Sequence, residues 1–234
     1  MPDCGKSISR APMKYAVTFA AVSLAMLAGS MVYPGPPRLL VWPALSFGGV
    51  ALGYAGLGPQ VFEKAGSGEI RPLFRMLHLP YFLFTWGVWH ICRLLSRKTA
   101  LNRIDEGLVI GRRLLPGEAP DGFDHYVDLT GEFDEPHPIR TRAGYRCLPI
   151  LDAGVPTLHE LRRAVELCSD GRVFVHCAQG HGRTGLFALA LLLRRGNVRT
   201  VGEGINLLQS LRPAVNLNGG QMAFARRYLQ VRAG

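Results

Sequence analysis

The chain has 234 residues and a formal net charge of +10, and its first 100 positions hold ten Lys or Arg against three acids, so +7 of that charge lies there. This imbalance reads as one small domain with an appendage rather than a single large domain. No basic run interleaved with stacking aromatics occurs outside the apolar first half, which argues against nucleic acid as a partner. The five cysteines (Cys4, Cys92, Cys147, Cys168 and Cys177) lack paired spacing, which argues against a disulfide framework or a zinc site and for a reducing compartment.

Residues 15–33 run nineteen positions without a charge, enough to cross about 30 Å of hydrocarbon as a helix. A cleaved signal peptide is the alternative reading. Residues 39–58 are again uncharged, with Pro43 and five glycines making a less regular helix, and the link from Pro34 to Arg38 has room only for a tight turn. Together these predict a membrane hairpin. The third apolar stretch, Leu79 to Cys92, is fourteen residues long and interrupted by Pro80. Its Tyr81, Phe82, Phe84, Trp86 and Trp89 are ring types that settle at the headgroup boundary, so a helix over 79–95 is expected to cross, re-enter or lie in the interface. Lys6, Arg10 and Lys14 precede the first helix, Lys64, Arg71 and Arg75 follow the second, and Arg93, Arg97, Lys98 and Arg103 follow the third. Cytoplasmic flanks collect such residues, so an even number of crossings is expected, with the C-terminal part in the cytoplasm and membrane lipid as a partner.

From about residue 101 the pattern changes to short β-rich runs alternating with amphipathic helices, the mark of an α/β domain with a central sheet flanked by helices. Strands are expected over Leu108 to Gly111, Tyr126 to Leu129, Tyr145 to Pro149 and Arg172 to His176. Thr157 with Glu160, and Thr200 with Glu203, have the spacing of capping boxes that open helices. Further helices are expected from Arg183 to Arg195 and from Gly220 to Val231. Cys168 reads as core, and Cys147 as core or as a redox partner for a nearby reactive thiol.

Residues 172–186 read RVFVHCAQGHGRTGL: a β-branched strand, a glycine-bearing loop, then a long apolar helix. A loop between a strand and a helix N-terminus aims successive backbone N–H groups into one concavity, where the helix dipole adds positive potential. A phosphate dianion fits there, as does a thiolate of Cys177 at its base. Gly180, Gly182 and Gly185 allow the close backbone approach this curve needs. Arg183 enters the helix's first turn, and its planar fork can hold two phosphate oxygens at once. A proton donor for a leaving oxygen would belong on a mobile loop upstream of the cysteine. No cofactor or metal is called for, because cysteine and arginine do the work a metal pair would do elsewhere.

His176-Cys177-AQGHG-Arg183-Thr184 resembles the HCx5R(S/T) signature of the protein tyrosine phosphatase superfamily, and the short domain over 101–234 resembles its dual-specificity branch. That resemblance implies a cysteine-dependent phosphatase fold with Cys177 as nucleophile and, because LPILDAGVP is similar to the family's acid loop, Asp152 as general acid; a turn aspartate before Gly154 is the alternative for Asp152, and Asp128 at a strand end is the reserve acid. Ala178, Gln179, Gly180, His181, Gly182 and Arg183 would form the phosphate cradle. Thr184 would assist hydrolysis of a phosphocysteine, and His176 would support the loop from behind. His181 is read either as an added positive charge or as a solvated loop residue. Asn216, Asn218 and Gln221 stand where some members carry a water-positioning residue, with capping an equal explanation. The phrase Leu101-Asn-Arg-Ile-Asp105 followed by Val109-Ile-Gly111 is similar to the domain opening of the mitochondrial phosphatidylglycerophosphate phosphatase branch and its bacterial relatives. Substrates implied are therefore phosphorylated proteins, with a phospholipid as the alternative; a phosphate-binding module without turnover is a further reading.

Overall fold

The computed structural model describes residues 12–32 and 35–233. Cys4, Lys6, Arg10, Tyr33 and Pro34, on which parts of the sequence reading fell, lie outside them. Helix α1 (Met13–Val32) and helix α2 (Val41–Leu52) form the expected hairpin, joined in part by a 3₁₀ turn over Pro36–Leu40. They run antiparallel: Tyr15 stacks near Tyr54 with ring centroids 5.3 Å apart, Ser23 Oγ donates to the Ala44 carbonyl at 2.7 Å, and Gly29 faces Leu40. The helical run Arg38–Phe62 continues past α2 through a π turn at Gly53–Leu57, where Gly56 breaks the helical dihedrals. Two helical runs are thus long and apolar enough to cross a membrane, Met13–Val32 with 20 residues and Arg38–Phe62 with 25. Val17, Leu24, Met31, Leu45 and Leu52 are exposed along them, an outer face that water would leave unsatisfied.

Helices α3 (Pro72–Leu77) and α4 (Leu79–Leu95) follow. The aromatic residues of α4 divide. Phe84 and Trp86 are turned outward, as an interfacial helix requires, but Tyr81 and Trp89 are buried. Tyr81 joins Phe19, Phe47 and Phe62 in one ring cluster, and Trp89 packs against Phe133 and Ala178 of the second half. Neither of these two rings is free for the headgroup boundary, because the helix has a protein neighbour on that side.

The second half is a five-stranded sheet in the order β1-β2-β5-β3-β4, comprising β1 (Leu101–Arg103), β2 (Leu108–Arg112), β3 (His125–Thr130), β4 (Tyr145–Ile150) and β5 (Val173–Cys177). Only β1, which the sequence pattern does not announce, is antiparallel to its neighbour. Every residue of β5 is buried, which fits a central parallel strand covered on both faces. A short helix α5 (His137–Arg140) precedes β4, and α6 (Leu158–Glu166), α7 (Gly182–Arg195), α8 (Val201–Leu211) and α9 (Gly219–Ala233) follow in the α/β order expected. Thr157 and Glu160 form the full capping box at α6. At α8 only Thr200 caps; Glu203 accepts instead from the Arg199 N–H at 2.8 Å, one position before the cap. Helix α7 is buried from Arg183 to Leu193, with α6, α8 and α9 packed around it, and it ends on Gly196 in the left-handed conformation. Cys168 lies in this core.

The two halves share structure. Residues 63–70 make a tight turn whose Lys64 and Ile70 pair in an antiparallel bridge. The Gly68 carbonyl accepts from Glu135 N–H at 2.9 Å, and Lys64 reaches between the strands of the sheet.

Candidate active site

Strand β5 ends at Cys177, and residues 178–181 turn into the N-terminus of α7. The loop is held from outside by its carbonyls. Trp89 Nε1 and the Arg113 N–H donate to the Ala178 carbonyl at 2.8 and 3.2 Å. Arg212 donates to the carbonyls of Gln179 and Gly180 at 3.2 and 2.9 Å, and is itself fixed by Asn102 and Thr99. Gly180 has φ +70, and any side chain there would collide with the Gly111 carbonyl of β2. With three successive carbonyls drawn outward, the N–H groups turn to the other side, where Gly180 N–H donates to Cys177 Sγ at 3.2 Å. The first turn of α7 adds its free N–H groups and its dipole to the same concavity.

Arg183 is almost fully buried and its fork is occupied. It gives a bidentate pair to Glu132 at 2.9 and 2.7 Å, a bond to the Ile150 carbonyl at 2.8 Å, and an ion pair to Asp152 at 3.1 Å. Burial alone would weaken the guanidinium's hold on its proton, but Glu132, Asp152 and then Cys177 outweigh it and raise its pKa. Glu132 therefore fixes the plane of the guanidinium, and Asp152, whose side chain is 70% exposed, is the more easily displaced partner. Asp152 belongs to a loop tied on two sides. Tyr54 Oη of the hairpin donates to the Asp152 carbonyl at 3.2 Å, and Leu151 is buried in the hairpin's aromatic cluster. Asn218 donates to the Ala153 carbonyl at 2.8 Å, and Gln221 to the Gly154 carbonyl at 3.1 Å.

Behind the loop lies a buried charged set. His176 Nε2 is 3.3 Å from Glu135 Oε1, an ion-pair distance without the alignment of a hydrogen bond. Lys64 Nζ is 2.5 Å from Asp128 Oδ2, and Tyr145 Oη donates to the same oxygen at 2.9 Å. Among the described residues, Asp128, Glu135 and His176 are the group whose ligand atoms could converge on a cation. Lys64 brings a positive charge to it. Burial would push His176 down, yet Glu135 and then Asp128 hold its pKa above the ordinary value. For Asp128 burial pushes upward, but Lys64 and His176 prevail and keep it well below the usual carboxylate range. Fixed in that pair behind the sheet, the reserve acid Asp128 does not reach the cavity.

A cavity of about 350 Å³ opens above Cys177, lined by Gln179, His181, Gly182, Arg183, Asp152, Ala153, Asn216, Asn218 and Gln221, and by Pro12, Lys14 and Tyr15 from the start of α1. His181 is pushed down to about 4 by burial, with Lys98 and Arg212 adding to the effect, so it is neutral at pH 7 and adds no positive charge. Thr184 is buried in the first turn of α7 with its Oγ1 unpartnered. Cys147 is held up at about 12, first by burial, and its strand lies two positions across the sheet from β5, too far for a resolving thiol. The structure thus brings Cys177, Arg183, Asp152 and the 178–182 loop together. Glu132, Trp89, Arg212, Lys64 and Tyr54 join them without any signal in the signature itself.

The central strand of the sheet ends in a cysteine loop that feeds an arginine-bearing helix, the arrangement that the resemblance of the 176–184 signature implies. Solved structures similar to the chain include human DUSP28 (16% identity, 58% of this chain and 97% of that one, TM-score 0.48). Tk-PTP in its active form is similar at 21% identity over 56% and 97% (TM-score 0.49), and PTPMT1 in complex with PI(5)P at 19% over 58% and 100% (TM-score 0.48). No protein-family model and no curated protein matches the chain. The chemistry of the site rests on its own geometry.

Proposed function

We propose that the protein is a membrane-anchored phosphatase that hydrolyses phosphomonoesters through a phosphocysteine on Cys177. The observation that carries this reading is the convergence of Cys177 Sγ, a loop with its carbonyls drawn outward, and a buried, pre-oriented Arg183 on one cavity. An incoming phosphate displaces Asp152 from Arg183 and takes the fork's free edge. The thiolate attacks phosphorus, the P–O bond to the leaving group breaks, and Asp152 gives that oxygen its proton. Water then attacks phosphorus, the S–P bond breaks, Asp152 accepts the water's proton, and inorganic phosphate leaves with the thiolate restored. Arg183 and the loop amides stabilise the equatorial oxygens in both steps. Thr184 Oγ1, having no other partner, supplies a hydrogen bond to the departing thiolate.

The likeness of the short 101–234 domain to the dual-specificity branch puts protein substrates first in this reading, and the hairpin would keep any substrate close to the bilayer. Phospholipid is the second reading, favoured by the entry of α1 into the cavity wall. The decisive measurement is hydrolysis of a generic aryl phosphate by the full-length protein. Cys177→Ser is expected to abolish turnover and Asp152→Asn to slow it most for substrates with poor leaving groups. Turnover that survives Cys177→Ser removes the nucleophile assignment, and well-folded wild type without turnover leaves a binding module.

A further inference from the structure

The catalytic cavity is walled in part by the membrane anchor. Pro12, just before α1, and Lys14 and Tyr15 in its first turn face the same space as Cys177, Arg183 and Asp152. Tyr15 is fixed there by its ring contact with Tyr54, the same residue whose hydroxyl holds the Asp152 backbone. Lys14 lies with its ammonium 5.1 Å from the Tyr15 ring centroid, is exposed, and forms no ion pair among the described residues. It is an exposed cation at the rim of an anion-binding cavity, and the carboxylate that shares that cavity, Asp152, is paired with Arg183. From this point α1 runs 20 residues, a length of about 30 Å, which matches the hydrocarbon thickness. If the far end of α1 lies at one face of the bilayer, the cavity lies at the other, at the level of the headgroups.

Resting on the phosphatase reading above, and taking its second, phospholipid branch over its first, we infer that Lys14 and Tyr15 are specificity-determining residues of the site, and that the substrate they select is a phosphomonoester carried on a membrane lipid. A lipid phosphate at this depth meets Cys177 without leaving the bilayer. Lys14 pairs with the anionic headgroup outside the cradle, while the Tyr15 ring packs against the headgroup's apolar side. A cation at this rim adds little for a small aryl phosphate, which ends inside the cradle.

The test uses the full-length protein in phosphatidylcholine vesicles. Four phosphomonoesters are compared: phosphatidylinositol monophosphate in the same vesicles, its water-soluble inositol phosphate headgroup, an aryl phosphate and a phosphotyrosine peptide. Lys14→Glu is expected to lower the lipid-to-aryl ratio of kcat/KM about tenfold, chiefly through KM, as placing a carboxylate where the anionic headgroup of the substrate binds requires. Lys14→Arg is expected to retain the ratio. The inference is overturned if Lys14→Glu leaves the ratio unchanged, or if wild type prefers the phosphopeptide or the free headgroup to the lipid. A parallel loss on all four substrates would also overturn it, by making Lys14 a structural residue. Wild type inactive on every phosphomonoester, aryl phosphate included, would instead remove the phosphatase reading on which this one stands.

Discussion

The hairpin and the sheet solve burial in opposite ways, and the contact between them follows neither. The hairpin leaves Val17, Leu24, Met31 and Leu52 outward, whereas α7 buries every residue from Arg183 to Leu193 within the protein. Two such units could have been joined by a linker and little else. Instead their contact carries Lys64 paired to Asp128, Trp89 hydrogen-bonded to the cysteine loop, and Tyr54 bonded to the Asp152 backbone. Polar contacts of this kind are directional, and so they position the site where a greasy seam would only hold it.

The strongest way to break this picture is Lys64→Met. It leaves Asp128 buried without its counter-charge, and a loss of about 3–5 kcal/mol in stability is expected, read by thermal unfolding in detergent. Asp128→Asn added to it should return part of the loss in a double-mutant cycle. A single variant that melts with the wild type would mean that the halves fold independently. Trp89→Phe keeps the ring and removes one donor from the Ala178 carbonyl, which retains the Arg113 N–H. About 1 kcal/mol and a several-fold fall in aryl phosphate turnover are expected; unchanged kinetics would show that the loop holds its shape without the anchor. The subtlest effect is one of pH. The folded pKa of His176 is raised above its unfolded value of about 6.5. Its contribution to stability is therefore fully present below that pH and is lost as pH rises through the folded value. The melting-temperature gap between wild type and His176→Gln should narrow from about pH 6.5 upward, and a gap that widened would reverse the assigned charge of the His176–Glu135 pair.

The parts of the site that could be read from the sequence are those that are local. Cys177, the glycine loop and Arg183 lie within one strand–loop–helix unit, so their spacing alone brings them together, and Asp152 is marked only by the likeness of its segment to an acid loop. Glu132 is 51 residues from Arg183 and Lys64 is 64 from Asp128. They meet because β3 pairs with β5 and the 63–70 turn folds onto it, which no periodicity announces. Trp89 shows the limit from another side. An aromatic residue in an apolar helix has two uses, and only the neighbour packed on that face, here the 178 loop, decides between lipid and protein. The same holds for His181, whose charge depends on Lys98 and Arg212, both brought in from other elements.

Lys64 has a consequence for how the molecule is made. It leaves the ribosome 64 residues ahead of Asp128, so the hairpin is already synthesised when the strand that needs this lysine emerges. The sheet then closes on an anchor that is waiting for it, and the counter-charge for its interior comes from outside its own stretch of chain. A protein built in that order ties the fold of its sheet to its hairpin: residues 101–234 alone would carry Asp128 into their core without the lysine, and are expected to unfold at a lower temperature than the whole chain.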